Sequence, residues 1–294
     1  MESILIHQNL MSTGATTITR KTIDIDDVFM KKNPKLYKWI PRFLLSYLKR
    51  IVHQDEINEF LWSARDKHGL DMVEAIVHRF DARIEVIGEE NIPLSGRFVI
   101  AANHPLGGLD GIALMHVVGK RLPNIVFPVN DILMNLPNFG ELFLPVNKHG
   151  MNKNLTGRLD EAFASGKTVL YFPAGLCSRK GEDGICDLEW KKTFISKARQ
   201  FDRQILPIHI EGRNSNWFYN LARFRTRLGL KANIEMLYLA DEMFRQKGKT
   251  IRFTIGTPID ITQLMKSTSD QQLAKRIKAH VYELGKDPLA HFSL

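Results

Sequence analysis

Residues 35–52 carry apolar residues at helical spacing on one side and basic residues on the other. The apolar set is Leu44, Tyr47, Leu48 and Ile51, and the basic set is Arg42, Lys49 and Arg50. This pattern predicts an amphipathic helix. With Tyr37 and Trp39 beside it, such a helix suits the boundary between water and lipid. Packing against the rest of the domain requires the same pattern, so both interpretations stay open.

After about residue 81, short apolar runs alternate with segments of helical periodicity. The predicted strands are 97–102, 124–129, 168–172, 205–210, 234–239 and 251–255, and a last helix is predicted over 270–284. Strands separated by helices predict an α/β domain with a mixed, largely parallel central sheet flanked by helices. We therefore expect residues 1–80 to form a loose polar lead and a helical, membrane-proximal segment. We expect residues 81–294 to form the α/β domain.

The net positive charge of the chain indicates which kind of partner it binds. Among 294 residues, 41 Lys and Arg face 32 Asp and Glu, a formal charge of +9 that favours an anionic partner. Signals typical of nucleic-acid recognition are missing from the sequence, so we expect no nucleic-acid partner. Without an apolar run of spanning length or a signal-peptide pattern, we expect a peripheral protein on the cytoplasmic side of the cell membrane. Cys177 and Cys186 are expected to be reduced thiols, and no metal site is expected.

A polar, glycine-rich turn follows the predicted strand 97–102. This first block, residues 103–111, reads Asn-His-Pro-Leu-Gly-Gly-Leu-Asp-Gly. Its two glycines allow the backbone to fold back, so the Asp110 carboxylate can reach the His104 imidazole. The pair would then fix one tautomer and leave the other nitrogen to take a proton from a hydroxyl. The alternative is that His104 caps the turn and Asp110 caps the helix.

The chain contains no Gly-x-Ser-x-Gly motif, so no serine nucleophile is expected. Direct attack by an acceptor hydroxyl on a thioester is the simpler chemistry. Three further blocks follow the first in order: 137–150 with Lys148, 171–180 with Arg179, and 206–212 with the internal Pro207. Proline lacks an N–H group, so Pro207 is not expected at an ordinary central pairing position.

The four blocks resemble the glycerolipid acyltransferase superfamily, which includes lysophosphatidate acyltransferases, over about residues 84–258. The family's catalytic His and Asp imply that His104 is the general base and that Asp110 is its partner. A basic residue in the second family block and the third block's Phe-Pro-Glu-Gly-Thr-Arg-Ser cluster handle the anionic acceptor. The substrate-binding residues that the resemblance implies here are Asn103, Gly107, Gly108, Lys148, Pro173, Gly175, Ser178 and Arg179.

Two departures from the family pattern shift the expected acceptor. The His-to-Asp spacing is one residue longer than the usual His-x4-Asp, and Ala174 replaces the acidic residue of the third block. Both features resemble the hemolysin-like branch, which includes O-acyltransferases that finish ornithine and glycine lipids. The resemblance implies acyl transfer from acyl carrier protein or acyl-CoA to the hydroxyl of a lyso amino-acid lipid, with no cofactor. Lysophosphatidate acylation and a non-catalytic lipid-binding role are the alternatives.

Overall fold

The computed structural model describes residues 20–130, 133–134, 136–145, 153–182, 184–261, 264 and 268–293. The expected loose lead, residues 1–19, lies outside the described residues. The helices are α1 (Ile25–Lys32), α2 (Pro34–Trp39), α3 (Arg42–Ile51), α4 (Gln54–Ser63), α5 (Gly69–Arg79), α6 (Leu109–Gly119), α7 (Lys153–Ala164), α8 (Thr193–Gln200), α9 (Asn216–Arg227), α10 (Leu239–Phe244) and α11 (Asp270–Leu284). Short 3-10 helices span Glu89–Asn91, Pro137–Leu142 and Ile234–Tyr238.

The strands are β1 (Arg83–Ile87), β2 (Phe98–Ala102), β3 (Ile125–Val129), β4 (Phe143–Pro145), β5 (Thr168–Tyr171), β6 (Arg179–Lys180), β7 (Ile185–Cys186), β8 (Gln204–Ile210) and β9 (Thr250–Ile255). In the described part of the chain, seven of them form one sheet in the order β1-β9-β8-β2-β5-β3-β4. Neighbouring strands pair in parallel except β8 and β9, which are antiparallel. The mixed, largely parallel α/β sheet is confirmed.

Strand β2 shows why the sheet needs helices on both faces. Its residues are all buried, and alternate ones belong to different cores. Ile100 packs in a core with α5 and α6, whereas Val99 packs in a second core with α8 and α11. A parallel strand that is covered on both sides reads as a continuous apolar run, as this one does. Because α5 shares the first core with the sheet, it packs directly on the α/β fold; the boundary between residues 80 and 81 stays a prediction.

The strand predicted over 234–239 is wrong. Residues Ile234–Tyr238 form a 3-10 helix that continues into α10. A short apolar run does not distinguish a strand from a helical segment by periodicity alone. Here the fully buried side chain is the carboxylate of Glu235, whereas Leu237 is exposed. The ion-paired carboxylate of Glu235 holds this segment together with Met236 and Leu239, which pack against Cys177, Phe218 and Tyr219.

The amphipathic segment 35–52 is divided into α2 and α3 at Pro41, since the residue before a proline is disfavoured in the helical region. Leu48 and Ile51 face the core as the pattern predicts, but Leu44 is exposed. No helix within the described ranges is both long and apolar enough to cross a membrane.

Pro207 lies in β8, inside the sheet, in register with Ala101 of β2. On the other side its carbonyl accepts from the N–H of Gly256, just beyond the end of β9. The β8 to β9 ladder is interrupted there and resumes at an isolated bridge between Ile205 and Ile259. The proline therefore occupies a break in the ladder, consistent with its missing N–H group.

Candidate active site

The candidate site lies at the carboxyl ends of two parallel neighbours, β2 and β5. The first block follows β2 and carries His104, and the third block follows β5 and carries Phe172. Open α/β sheets place ligands at the carboxyl ends of their strands, because the turns there leave backbone and side chains exposed. The fourth block, 206–212, covers most of β8 and its carboxyl end, and β8 also pairs with β2 in parallel.

The turn of the first block closes around the carboxylate of Asp110, which is fully buried in the first turn of α6. Its Oδ2 accepts from the N–H groups of Leu106 at 2.8 Å and Gly107 at 3.2 Å. The same oxygen lies 2.9 Å from His104 Nδ1, and Oδ1 accepts from the N–H of Gly111 at 2.9 Å. The carboxylate reaches the imidazole, as the glycine-rich spacing predicts.

Burial alone would raise the pKa of Asp110, but the nearby His104 and the backbone N–H groups of Leu106 and Gly107 outweigh it and lower that pKa. The group is therefore an ionised carboxylate, which only accepts hydrogen bonds. His104 Nδ1 must then carry the proton that Asp110 accepts. The neutral ring consequently presents an unprotonated Nε2, the arrangement required of a general base.

Phe172 fixes the plane of the imidazole. Its ring stacks on that of His104 with centroids 4.0 Å apart and an interplanar angle of 17°. Phe127 in turn meets Phe172 edge-on at 5.3 Å. The His104 side chain is 16% exposed, so the ring is held among protein groups and still has an opening to solvent. The sequence analysis missed Phe172, although it stands beside Pro173 in the third block at the end of a strand.

Gly107 is required by the shape of the turn. Its φ of 80° lies in the left-handed region, which favours glycine. A Cβ atom at this position would come within 2.7 Å of Leu239 Cδ2 and 3.1 Å of Cys177 Cβ. The turn therefore packs directly under α10 and the third block, where no side chain fits.

The other predicted substrate-binding residues are placed unevenly. Asn103 is buried and uses its side-chain amide on Ile210, donating to the carbonyl at 2.9 Å and accepting from the N–H at 2.7 Å. Ser178 is also buried and donates its hydroxyl to Asp187 at 2.6 Å. Pro173 is buried, and its carbonyl accepts from the N–H of Lys191 at 3.1 Å. Lys148 lies outside the described residues.

A cleft of about 250 Å³ borders the first block. Asn103, Pro105, Ser178, His209 and Tyr282 are among the residues that line it. Burial lowers the pKa of His209 below its usual range, so this imidazole is neutral. The cleft thus offers space beside Asn103 and Ser178, two of the predicted substrate-binding residues.

Arg179 forms an ion pair with a buried carboxylate, and its side chain is largely shielded from solvent. Its Nη2 donates to Glu235 Oε1 at 3.0 Å, and Arg225 Nε lies 2.8 Å from Glu235 Oε2. Glu235 is fully buried, and its carboxylate forms ion pairs with both guanidinium groups. Arg179 Nη1 also donates to the carbonyl of Cys177 at 2.7 Å. We call Arg179, Glu235 and Arg225 the arginine–glutamate cluster.

Cys177 lies between the first block and this cluster and is fully buried. Burial raises the pKa of its thiol to about 11, although Arg179 acts in the opposite direction. The group is therefore a protonated thiol, which is a poor nucleophile. Both cysteines are free.

A family model described as Acyltransferase matches residues 27–289, and the chain belongs to this family. The chain is thus an acyltransferase, and the resemblance drawn from the four blocks is confirmed. It is 48% identical to a lyso-glycine lipid O-acyltransferase of Bacteroides thetaiotaomicron, covering 89% of this chain and 97% of that protein. It is 47% identical to a protein of the same name from Phocaeicola vulgatus, covering 89% of this chain and 95% of the relative.

A solved structure is also similar, the 1-acyl-sn-glycerophosphate acyltransferase of Thermotoga maritima. It is 16% identical with a TM-score of 0.46, covering 85% of this chain and 94% of that one.

Proposed function

We propose that this acyltransferase moves a fatty acyl group from acyl carrier protein or acyl-CoA to the hydroxyl of a lyso amino-acid lipid, most specifically lyso-glycine lipid. The hydrogen bond between His104 and Asp110 carries the proposal for the chemistry. The names of the two relatives carry it for the acceptor.

His104 acts as the general base. Its Nε2 takes the proton of the acceptor hydroxyl as the oxygen attacks the thioester carbonyl carbon. Asp110 holds the ring in the correct tautomer and stabilises the imidazolium that forms. When the tetrahedral intermediate collapses, the carbon–sulfur bond breaks and the imidazolium returns the proton to the thiolate. The N–H groups of Leu106 and Gly107 donate to Asp110, so these two groups are not available to stabilise the oxyanion.

The arginine–glutamate cluster counts against Arg179 as the residue that would bind the phosphate of lysophosphatidate. A phosphate headgroup needs cations that are free to pair with it. Arg179 is the third-block cation of the phosphate-binding interpretation, and it is already paired with buried Glu235. Breaking such a pair would leave a buried carboxylate with less of its countercharge, which is costly.

The thioester donor fits the charge of the chain. Both acyl carrier protein and CoA are anionic, and the chain has a formal charge of +9. Lys191 and Lys192 are exposed just before α8, and the N–H of Lys191 donates to the carbonyl of Pro173 in the third block. We assign the donor's phosphates or acidic surface to this side of the site.

The acceptor is a lipid, so we place the protein at the cytoplasmic face of the membrane, on a surface formed by α2, α3 and the segment 234–238. Trp39 is 86% exposed and Phe43 is 76% exposed, with the exposed cations Lys38 and Arg42 adjacent in the chain. Tyr47 of α3 shares a 2.7 Å hydrogen bond with Tyr238, and exposed Leu237 and Trp217 continue the surface. Exposed aromatic residues beside cations are typical of proteins that lie on anionic membranes.

The acceptor assignment is tested with purified protein, a long-chain acyl-CoA or acyl carrier protein thioester, and two acceptors. N-(3-hydroxyacyl)glycine should give a diacylated product, and lysophosphatidate should give at least tenfold less. A higher rate with lysophosphatidate would overturn the acceptor, whereas no product from either acceptor with wild-type protein would overturn the enzymatic role proposed for this site.

The membrane surface is tested by sedimentation with vesicles that contain anionic lipid. The double variant Trp39→Ala and Phe43→Ser should bind vesicles at least fivefold more weakly. Leu94→Ser is the matched control, since Leu94 is 75% exposed and precedes β2, at the opposite end of that strand from His104. Equal binding by the double variant and the control would contradict this surface.

A further inference from the structure

The position of His104 depends on its main chain as well as on its ring. Asp110 and Phe172 fix the orientation of the imidazole, but neither contact holds the backbone of residue 104. That backbone has one donor and one acceptor, and both are engaged by the segment 178–187. The His104 carbonyl accepts from the N–H of Ser178 at 2.7 Å, and the His104 N–H donates to Asp187 Oδ1 at 3.1 Å.

Asp187 stands at the centre of this contact. Its carboxylate is buried and accepts from three groups: the His104 N–H, the Ser178 hydroxyl at 2.6 Å and Trp190 Nε1 at 2.9 Å. A buried carboxylate is costly unless hydrogen bonds satisfy it, and three donors converge on its two oxygens. The first block, the third block and Trp190 are therefore joined through a single side chain.

The backbone of Asp187 is held from a different direction. Its N–H donates to Tyr282 Oη at 2.7 Å, and its carbonyl accepts from Lys278 Nζ at 2.7 Å. Both partners lie on α11, one of the helices that pack on the second core. Asp187 thus connects α11 to the turn that carries His104, since its backbone is bound by α11 and its carboxylate binds the His104 N–H.

We infer that Asp187 is a positioning residue for acyl transfer, because its buried carboxylate holds the main chain of His104 at the distance from the acceptor that attack requires. The inference rests on the proposed function of His104 as the base. A reacting group displaced by about 1 Å loses on the order of a hundredfold in rate. Asp187 touches neither substrate nor the reacting nitrogen, so its removal should affect turnover and leave substrate binding intact.

The test is Asp187→Asn, assayed with long-chain acyl-CoA and N-(3-hydroxyacyl)glycine. The asparagine NH2 group is a donor, and it would face either the His104 N–H or Trp190 Nε1, which are also donors. One of these two hydrogen bonds is therefore lost. We expect kcat to fall roughly tenfold to a hundredfold while both KM values stay within about twofold. Asp187→Glu, which restores the carboxylate, should recover part of the kcat.

Glu242→Gln is the matched control. Glu242 is equally buried and also accepts from one backbone N–H and one hydroxyl, both from Ser215. It should lose stability like Asp187→Asn but keep its kcat. If Asp187→Asn and Glu242→Gln lose kcat equally, or if only KM changes in Asp187→Asn, the inference is overturned.

His104→Ala, measured in the same assay, separates this inference from the proposed function. If His104→Ala remains active, both fail. If His104→Ala is inactive while folded Asp187→Asn keeps wild-type kcat, only the positioning role fails. If circular dichroism shows Asp187→Asn unfolded, Ser178→Ala decides, because it removes one donor to Asp187. A lower kcat at constant KM supports the inference, and an unchanged kcat overturns it.

Discussion

Asp110 and Glu235 are both fully buried carboxylates near the same turn, yet their partners differ in kind. Asp110 accepts from one imidazole and from backbone N–H groups, and that imidazole keeps a second nitrogen directed elsewhere. Glu235 lies between Arg179 and Arg225, two guanidinium groups with fixed positive charge. The first arrangement can hold and release a proton, whereas the second cannot.

The two carboxylates therefore have different roles: Asp110 belongs to the proposed reaction, and Glu235 holds the structure together. A charged residue in a recognised block need not face the substrate, and Arg179 uses its charge on Glu235. His104 does face an opening, and its partner determines which nitrogen is free. A carboxylate that pairs with a titratable ring is the one expected to control rate.

Replacing the carboxylate on the catalytic side should have the largest effect. In Asp110→Asn the amide oxygen still accepts from His104 Nδ1, Leu106 and Gly107, but a neutral amide does not stabilise the imidazolium that forms when His104 takes the proton. We expect kcat to fall about a thousandfold while the fold is retained. Steady-state kinetics and circular dichroism check this, and a variant with more than a third of wild-type kcat would argue against the pair.

Glu235→Gln should act on stability. It leaves two partly buried guanidinium groups without their countercharge, and we expect the free energy of unfolding to fall by about 3 kcal/mol in urea denaturation. Glu85→Gln is the control, because Glu85 pairs with Arg252 at 2.9 Å on the surface and should cost far less. Equal losses would show that the buried cluster contributes no more than a surface pair.

Gly107→Ala tests the turn between the two carboxylates. The added Cβ would meet Leu239 and Cys177 in a backbone conformation that alanine disfavours, so kcat should fall about tenfold as the turn shifts. Gly229→Ala shares the positive φ but meets nothing within 4 Å. This control should lose about 1 kcal/mol of stability and keep its kcat. If both variants have wild-type kcat, the close packing of the turn is irrelevant to the reaction.

His280 extends the comparison to a buried ring that no hydrogen bond satisfies among the described residues. Neither ring nitrogen has a hydrogen-bond partner among the described residues, and burial lowers its pKa. The unfolded chain therefore binds this proton first as pH falls through about 6.5, so stability should decrease from there down to the folded pKa. In His280→Phe the urea midpoint of unfolding should change less with pH over this range than in wild type. An unchanged profile would assign the dependence to other groups.

Cys177→Ala should have the smallest effect. The thiol is protonated at neutral pH because burial raises its pKa to about 11, so it supplies no nucleophile. We expect kcat within twofold of wild type. A tenfold fall with an intact fold would contradict this assignment.

The sequence predicted the fold well where periodicity was continuous. The last helix over 270–284 agrees with α11, and the run 97–102 corresponds to β2 within one residue. The run 234–239 failed because its position depends on ion pairs between Glu235 and residues on other elements. Side-chain pairing at that range leaves no periodic signal in a chain.

The candidate site was predictable in part for the same reason. The contact between His104 and Asp110 is local, because a glycine-rich turn brings the two together. Asp187 is 83 residues from His104, and only the packing of α11 and the third block brings them into contact. The partner of Arg179 was equally hidden, since Glu235 follows 56 residues later.

Lipid mass spectrometry of cells that lack the protein, complemented with wild type or with His104→Ala, tests the proposed catalysis most directly. We expect loss of the diacylated amino-acid lipid and accumulation of its monoacyl form, with rescue by wild type alone. An unchanged lipid profile, or rescue by His104→Ala, would contradict His104 as the base in this acyl transfer.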